Sequence, residues 1–207
     1  MILFEKLILL IVFIAVIPAT VLAESSSSDK GFWEGRPELV ARTRDSREIL
    51  VYVNESEDSN GSKLLTLQAM GVIHMPPSEA AKAAIQYETL KKLSNVINSM
   101  QYDAKQKRLV LNTSAFNYTA RFIINVEHHL DEKSPRIVWN VVGGFFSGMK
   151  LQFVFSPIEG RKSQIALYGV HRYKSLGIPK FFIEFGMEVI MQQAAKRLRA
   201  LLEEDFS

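Results

Sequence analysis

Cysteine is absent from the 207 residues of this sequence. No disulfide can therefore contribute to stability, and thiol catalysis, cysteine-ligated metal and a lipid-modified cysteine anchor are excluded. A strong charge of either sign is also missing, because 25 basic and 22 acidic side chains leave a net charge of +3. This mild excess does not favour nucleic acid as a partner, and we expect no nucleic-acid binding.

A hydrophobic run long enough to span a bilayer, which needs roughly 18 to 20 residues, is lacking as well. The run from Leu7 to Ile17 is shorter, it follows Lys6, and small residues ending at Ala23 come after it. These features are typical of a signal peptide, so we predict that residues 1–23 are cleaved and that the mature chain is exported, periplasmic or secreted. An uncleaved anchor is the alternative, because Glu5 offsets the charge of Lys6.

Residues 24–46 are polar and at first rich in serine, which predicts a linker and a short N-terminal segment. We expect a short helix within this segment, from Pro37 to Thr43. The following residues, 47–204, are numerous enough to form one domain with an ordinary hydrophobic core.

Strand-like and turn-like segments alternate in the rest of the chain. Residues 48–54 and 63–75 are β-branched and apolar runs around a turn-rich segment with Asn60-Gly61, a pattern that predicts a hairpin. Two short helices are expected next, the first capped by Ser78 and the second over residues 88–93. Six further strand-like runs follow, at about 95–103, 108–116, 118–130, 136–142, 146–156 and 163–173. A long helix from about Ile178 closes the chain.

Alternation along these runs predicts which side chains face the interior, because successive side chains of a strand point to opposite faces. In the run at 146–156 only one of the two sets carries a charge, so the other set is the inner one. The predicted inner residues are Phe122, Ile124, Val126, His128 and Leu130; Ile137, Trp139 and Val141; Phe145, Met149, Leu151, Phe153 and Phe155; and Ile165, Leu167, Gly169 and His171. Phe146 falls in the outer set.

These faces constrain the loop that follows Val141, since opposed residues of an antiparallel pair lie on the same face. A two-residue loop would pair Val141 with Phe146, an inner residue with an outer one. A three-residue loop, Gly143 to Phe145, pairs Trp139 with Met149 and removes the conflict. We therefore predict a loop with glycine in the left-handed conformation rather than the tightest turn.

The order of elements resembles the START-like (helix-grip) superfamily, most closely its exported bacterial members of the polyketide cyclase and coenzyme Q-binding type. The segments that carry the resemblance are REILVYVN, LQAMGVIHMPPSEAAKAAIQYETLKKL, RIVWNVVGGFFSGMKLQFVFSP and GIPKFFIEFGMEVIMQQAAKRLRALLEE. The resemblance covers residues 47–204. It implies an α+β helix-grip fold, in which a curved seven-stranded antiparallel sheet wraps around the long C-terminal helix and two short helices follow the first long strand.

The resemblance also implies an apolar cavity between sheet and C-terminal helix for a hydrophobic small molecule, a lipid or a quinone-like compound. The residues expected to bind it are Phe122, Ile124, Val126, His128, Trp139, Val141, Phe145, Met149, Leu151, Phe153, Ile165, Leu167, Phe182, Phe185 and Val189. Phe145 and Phe146 would lie at the mouth, closing it or touching a membrane surface transiently; alternatively, both pack onto the last helix. The polar side chains that could orient a ligand are His128, His171, Tyr102 and Asn140.

The sequence gives little support for catalysis or metal binding. His128 and His129 are neighbours on a strand and point to opposite faces, so they cannot hold one metal together. We find no metal-ligand spacing, nucleophile motif or cofactor motif, and we expect neither metal nor cofactor. Two alternatives stay open: a cavity enzyme of the polyketide cyclase or hydrolase type that uses His128 as an acid or base, and a protein-interaction module whose own side chains fill the cavity.

Overall fold

The computed structural model describes residues 30–90, 97–115, 118–144, 146–175 and 180–204. The strands are β1 (Leu50–Glu57), β2 (Lys63–Ile73), β3 (Ile97–Asp103), β4 (Arg108–Ala115), β5 (Tyr118–His129), β6 (Arg136–Gly143), β7 (Lys150–Ile158) and β8 (Lys162–Tyr173). The helices are α1 (Pro37–Asp45), α2 (Pro77–Ala84), α3 (Tyr87–Leu90) and α4 (Lys180–Glu204). No helix within these ranges combines the length and the apolar character needed to cross a membrane.

All eight strands join one antiparallel sheet in the order β1-β2-β8-β7-β6-β5-β4-β3. The predicted α+β helix-grip architecture is confirmed, with one more strand than the seven expected. The additional strand arises because both arms of the first hairpin pair within the same sheet: β1 is one edge, while β2 pairs with β1 on one side and β8 on the other. The two short helices follow β2, the first long strand, as predicted.

The start of α2 differs from the prediction. Pro76 is the N-cap residue and no side chain caps the helix, so Ser78 lies inside the first turn instead of preceding it. Pro76 has extended backbone geometry, which suits the position before a helix, and Pro77 provides the fixed φ of a first helical residue. The second short helix, α3, begins at Tyr87, and the predicted continuation beyond Leu90 lies outside the described residues.

The loop between β6 and β7 is longer than predicted. Trp139 pairs with Leu151 instead of Met149, so the predicted register was wrong by two residues, although both registers keep the same side chains on the inner face. The extra residues form a turn in which the Met149 amide donates to the Phe146 carbonyl at 2.9 Å. Gly144 at φ +86° and Gly148 at φ +93° confirm the predicted left-handed glycine.

The sheet is covered on both faces at the end formed by β1, β2 and β8. On the inner face, α4 lies mainly over β1 and β2. On the outer face, Trp33 is buried with Leu50, Met70 and Ala166. The helix predicted at Pro37–Thr43 is present as α1 and contributes to this outer layer, which further includes Phe32, Leu39, Val40 and Tyr168. These strands are apolar on both sides because both sides are buried.

Candidate functional site

The inner face of β5 to β8 forms an apolar wall. Antiparallel register places Trp139 between Val126 and Leu151, and places Phe153 opposite Leu167. Leu65 and Leu67 on β2 are fully buried, whereas Trp139, Leu151 and Phe153 keep part of their surface accessible although they face inward. The difference follows from the placement of α4 over β1 and β2. An accessible apolar wall is therefore left on the interior side of the sheet.

The predicted binding residues fall into groups with different burial. Ile124, Val126, Val141 and Met149 are buried in the inner core. Partly buried residues packed against this core are Phe122, Trp139, Leu151, Phe153, Ile165 and Leu167. His128 and Val189 are half-buried, while Phe185 is 51 % exposed. Phe145 and the side chain of Phe182 lie outside the described residues.

Three other predictions differ from the structure. Leu130 is 40 % exposed because β5 ends at His129, and strand alternation no longer applies beyond that point. Phe146 was predicted to point outward, but it packs against the inner core. Its backbone lies in the turn before β7 at φ +60°, so its direction is set by the turn and not by a strand. Asn140, predicted as a side chain that could orient the ligand, lies instead on the outer face, opposite Asn125 and Lys150.

His128 is held by a tyrosine from α3. The Tyr87 hydroxyl and the His128 Nε2 are 2.8 Å apart. The rings of Tyr87 and Tyr102 lie 5.0 Å apart, and those of Tyr102 and His128 lie 5.4 Å apart. Trp139 adjoins the cluster at 6.2 Å from the Tyr87 ring, and its buried indole N–H has no hydrogen-bond partner within the described part of the chain. An aromatic and imidazole cluster thus lies at one end of the apolar wall.

Burial determines the protonation of this pair. It raises the pKa of the Tyr87 hydroxyl above its usual value, and the nearby Trp139 indole opposes the shift only in part. Burial also lowers the pKa of His128, and the positive charge of Lys107 acts in the same direction. Both groups are therefore neutral near pH 7, and the contact is a hydrogen bond between neutral partners. This arrangement positions His128 but occupies its Nε2.

A second polar cluster lies at the opposite end of the inner face. Tyr173 donates a hydrogen bond to the Glu55 carboxylate, and Lys63 contacts the same carboxylate at 2.9 Å. The His171 ring stacks on Tyr173 at 5.3 Å, and the Phe146 ring meets it edge-on at 5.4 Å. Glu55 and His171 are each only 4 % exposed and Tyr173 is 7 % exposed. The fold therefore buries a carboxylate, a phenol and an imidazole together.

Sequence reasoning named His171 but missed Tyr87, Glu55 and Tyr173. For Glu55 a signal was present, because it continues the alternating set Val51 and Val53 that faces inward on β1. Tyr173 similarly continues the inner set of β8 beyond His171. For Tyr87 no periodic signal exists, since α3 is a single four-residue turn. The partners of the histidines come from elements distant in sequence, which the strand register brings together.

No known family model matches this sequence, and no curated protein matches it either. Among solved structures, the chain is similar to a START superfamily protein from Mycobacterium smegmatis, with a TM-score of 0.56 and 12 % identity over 67 % of this chain and 97 % of the other. It is similar to a STAR-related lipid transfer protein fragment from Xanthomonas axonopodis, with a TM-score of 0.50 and 12 % identity over 73 % and 99 % of the two chains.

A third similar structure is the ZhuI aromatase/cyclase from a Streptomyces species, with a TM-score of 0.52 and 8 % identity over 68 % of this chain and 93 % of the other. At such low identities the comparisons establish the fold. The chain has the START-like helix-grip fold, as the sequence resemblance predicted.

Proposed function

We propose that this protein binds a hydrophobic small molecule, a lipid or a quinone-like compound, between the inner face of the sheet and α4. The observation that supports this proposal most directly is the accessible apolar wall around Trp139, Leu151 and Phe153. Apolar side chains that face the interior yet remain accessible are typical of a ligand site. The solved structure named a lipid transfer protein has the same fold and is consistent with this function.

The physical chemistry of such a wall favours a carrier of broad selectivity. Burial of about ten methylene groups contributes on the order of 8 kcal/mol before the costs of ordering are subtracted. One methylene more or less changes the affinity by only about 1 to 3 kcal/mol, so apolar contacts alone distinguish ligands poorly. Selectivity must then come from the polar clusters at the two ends of the wall, around His128 and His171.

We further propose that the protein works outside the cytoplasm, after export directed by residues 1–23, and that it exchanges ligand during transient contact with a membrane surface. Binding is preferred to catalysis because the accessible inner face is apolar, and because the Nε2 of His128, the candidate acid or base, is already bonded to Tyr87, which leaves only Nδ1 for a reacting group. An interaction module with a filled cavity would not need accessible apolar side chains on its inner face.

The direct test is native mass spectrometry of the chain purified without detergent from an exporting host, followed by organic extraction. We expect a lipid-like or quinone-like compound in near-stoichiometric amount. Protein that emerges empty and takes up no lipid from vesicles would rule out the carrier function and support the interaction module.

Truncating one side chain of the wall should weaken binding. We expect Phe153→Ala to lower the affinity for the extracted ligand roughly tenfold or more, because it removes a large apolar contact. The matched control is Val154→Ala, which changes the next residue of β7 on the opposite face and should leave the affinity within about twofold. Titration by intrinsic tryptophan fluorescence measures both, with a thermal melt to verify folding. Equal losses in the two variants would contradict the assigned binding face.

A further inference from the structure

The cluster of Glu55, Lys63, Tyr173 and His171 contains a buried polar atom without a partner. Register places both Glu55 and His171 opposite Leu65, so the three side chains share the inner face. The His171 Nδ1 is buried and has no hydrogen-bond partner within the described part of the chain. Buried polar atoms are nearly always paired, and an exception calls for a specific explanation. The unpaired nitrogen is available to a polar group of a bound molecule.

Phe146 packs against this histidine on the inner face. Its ring meets the His171 ring edge-on, with an interplanar angle of 85°. Phe146 is one of few non-glycine residues with positive φ, at 60°, and it lies between Gly144 and Gly148, both left-handed. Strained backbone of this kind is often retained where a ligand binds. A ligand head group that displaces the Phe146 ring would reach the His171 ring.

The charges around His171 indicate which head group fits. Burial lowers the pKa of His171 to about 4, so its neutral ring offers one N–H and one lone pair. Glu55 is the anion of the cluster, and Lys63, its cation, already contacts the Glu55 carboxylate. An anionic head group would therefore be buried beside a carboxylate without a cation of its own, which is unfavourable. A hydroxyl or carbonyl oxygen meets no such penalty.

We propose that His171, together with Tyr173 and Glu55, binds the uncharged polar head of the ligand, an alcohol or carbonyl group, and selects against ligands that end in a carboxylate. This inference rests on the proposed binding function and specifies the class of ligand. His171 supplies the hydrogen bond to the head group, while the negative charge of Glu55, to which Tyr173 donates, disfavours an anion in the same place.

A matched pair of ligands tests the proposal. Decan-1-ol and decanoate share one chain and differ in the head group, and each can be titrated at pH 8 against protein loaded with the uncharged dye Nile red. We expect decan-1-ol to displace the dye at a concentration about tenfold lower than decanoate. His171→Leu should lower the affinity for decan-1-ol about fivefold and change the affinity for decanoate less than twofold, because only the alcohol loses a hydrogen bond. His171→Gln should restore part of the loss.

Two further variants complete the test. Glu55→Gln should reduce the ratio of the displacing concentrations of decanoate and decan-1-ol at least threefold. The substitution removes the negative charge and leaves Lys63 available to an anion. The control His129→Leu changes a histidine on the outer face and should leave the preference unchanged. Equal displacement by the two ligands, or tighter binding of decanoate, would overturn the assignment of the head-group site alone. Failure of both ligands to displace the dye, with empty protein in native mass spectrometry, would overturn the binding function itself.

Discussion

Replacing Gly144 with alanine should lower the free energy of unfolding by about 3 kcal/mol or more. Gly144 has φ +86°, a conformation that L side chains rarely adopt, and a Cβ placed there would lie 1.9 Å from the carbonyl oxygen of Arg121. That contact is with backbone, so no side chain can rotate away to relieve it. The strand β5 or the turn before β7 would have to move, and Phe146 would move with the turn.

The matched control for this variant is Gly160→Ala. Gly160 lies in another turn at φ +72°, and a Cβ there meets nothing within 4 Å. Gly160→Ala should therefore lower the free energy of unfolding by about 1 kcal/mol, the contribution of backbone strain alone. Urea unfolding of the two variants measures the difference, which isolates the clash with Arg121. Similar losses of stability would show that the β6–β7 turn adapts easily, and would contradict the close approach of Gly144 to β5.

Acidification should destabilise the protein through His171. Its pKa falls from 6.5 in the unfolded chain to about 4 in the folded state, because burial disfavours the imidazolium. Between pH 6.5 and 4, the His171 imidazole is therefore protonated in the unfolded chain but largely neutral in the native state. The resulting stability is fully present above pH 6.5 and is lost as the pH falls from 6.5 through 4, by about 3 kcal/mol in all. Burial of His128 acts in the same direction.

Other groups titrate in this range, so the measurement compares the wild-type protein with His171→Leu. Urea unfolding of both proteins at pH 7 and pH 4 should show a smaller loss for the variant, by up to about 3 kcal/mol. Glu55 is present in both proteins, so the comparison reports the difference that His171 makes. Parallel loss of stability in the two proteins would mean that His171 accepts its proton in the folded state.

Patterns within single strands could be read from the sequence, because alternation is a local property. The inner positions of Ile124, Val126, Val141 and Met149 followed from the period of two, and the structure buries all four. The β6–β7 register could not be obtained in this way. Alternation allows any register that differs by two residues, and the hydrogen bond from the Met149 amide to the Phe146 carbonyl decides between them.

Partners that are distant in sequence were beyond the reach of sequence reasoning. Tyr173 and Glu55 are 118 positions apart, and Tyr87 and His128 are 41 apart. Their contacts depend on the order of the strands in the sheet and on the length of each connection. The outer layer could not be predicted for a similar reason. Trp33 lies in a segment of polar composition, and that composition does not indicate that Trp33 packs against Met70 and Ala166.

The outer layer has a practical consequence for anyone who prepares this domain. Gln68 is buried on β2 because its side-chain amide bonds the segment before α1 at both ends: its oxygen accepts from the Phe32 amide at 2.8 Å, and its nitrogen donates to the Lys30 carbonyl at 3.0 Å. A fragment that begins at Arg47, shortly before β1, would lack these partners and would expose the apolar outer face of the sheet. Expression should therefore start ahead of Lys30, since the shorter fragment would expose a surface prone to self-association.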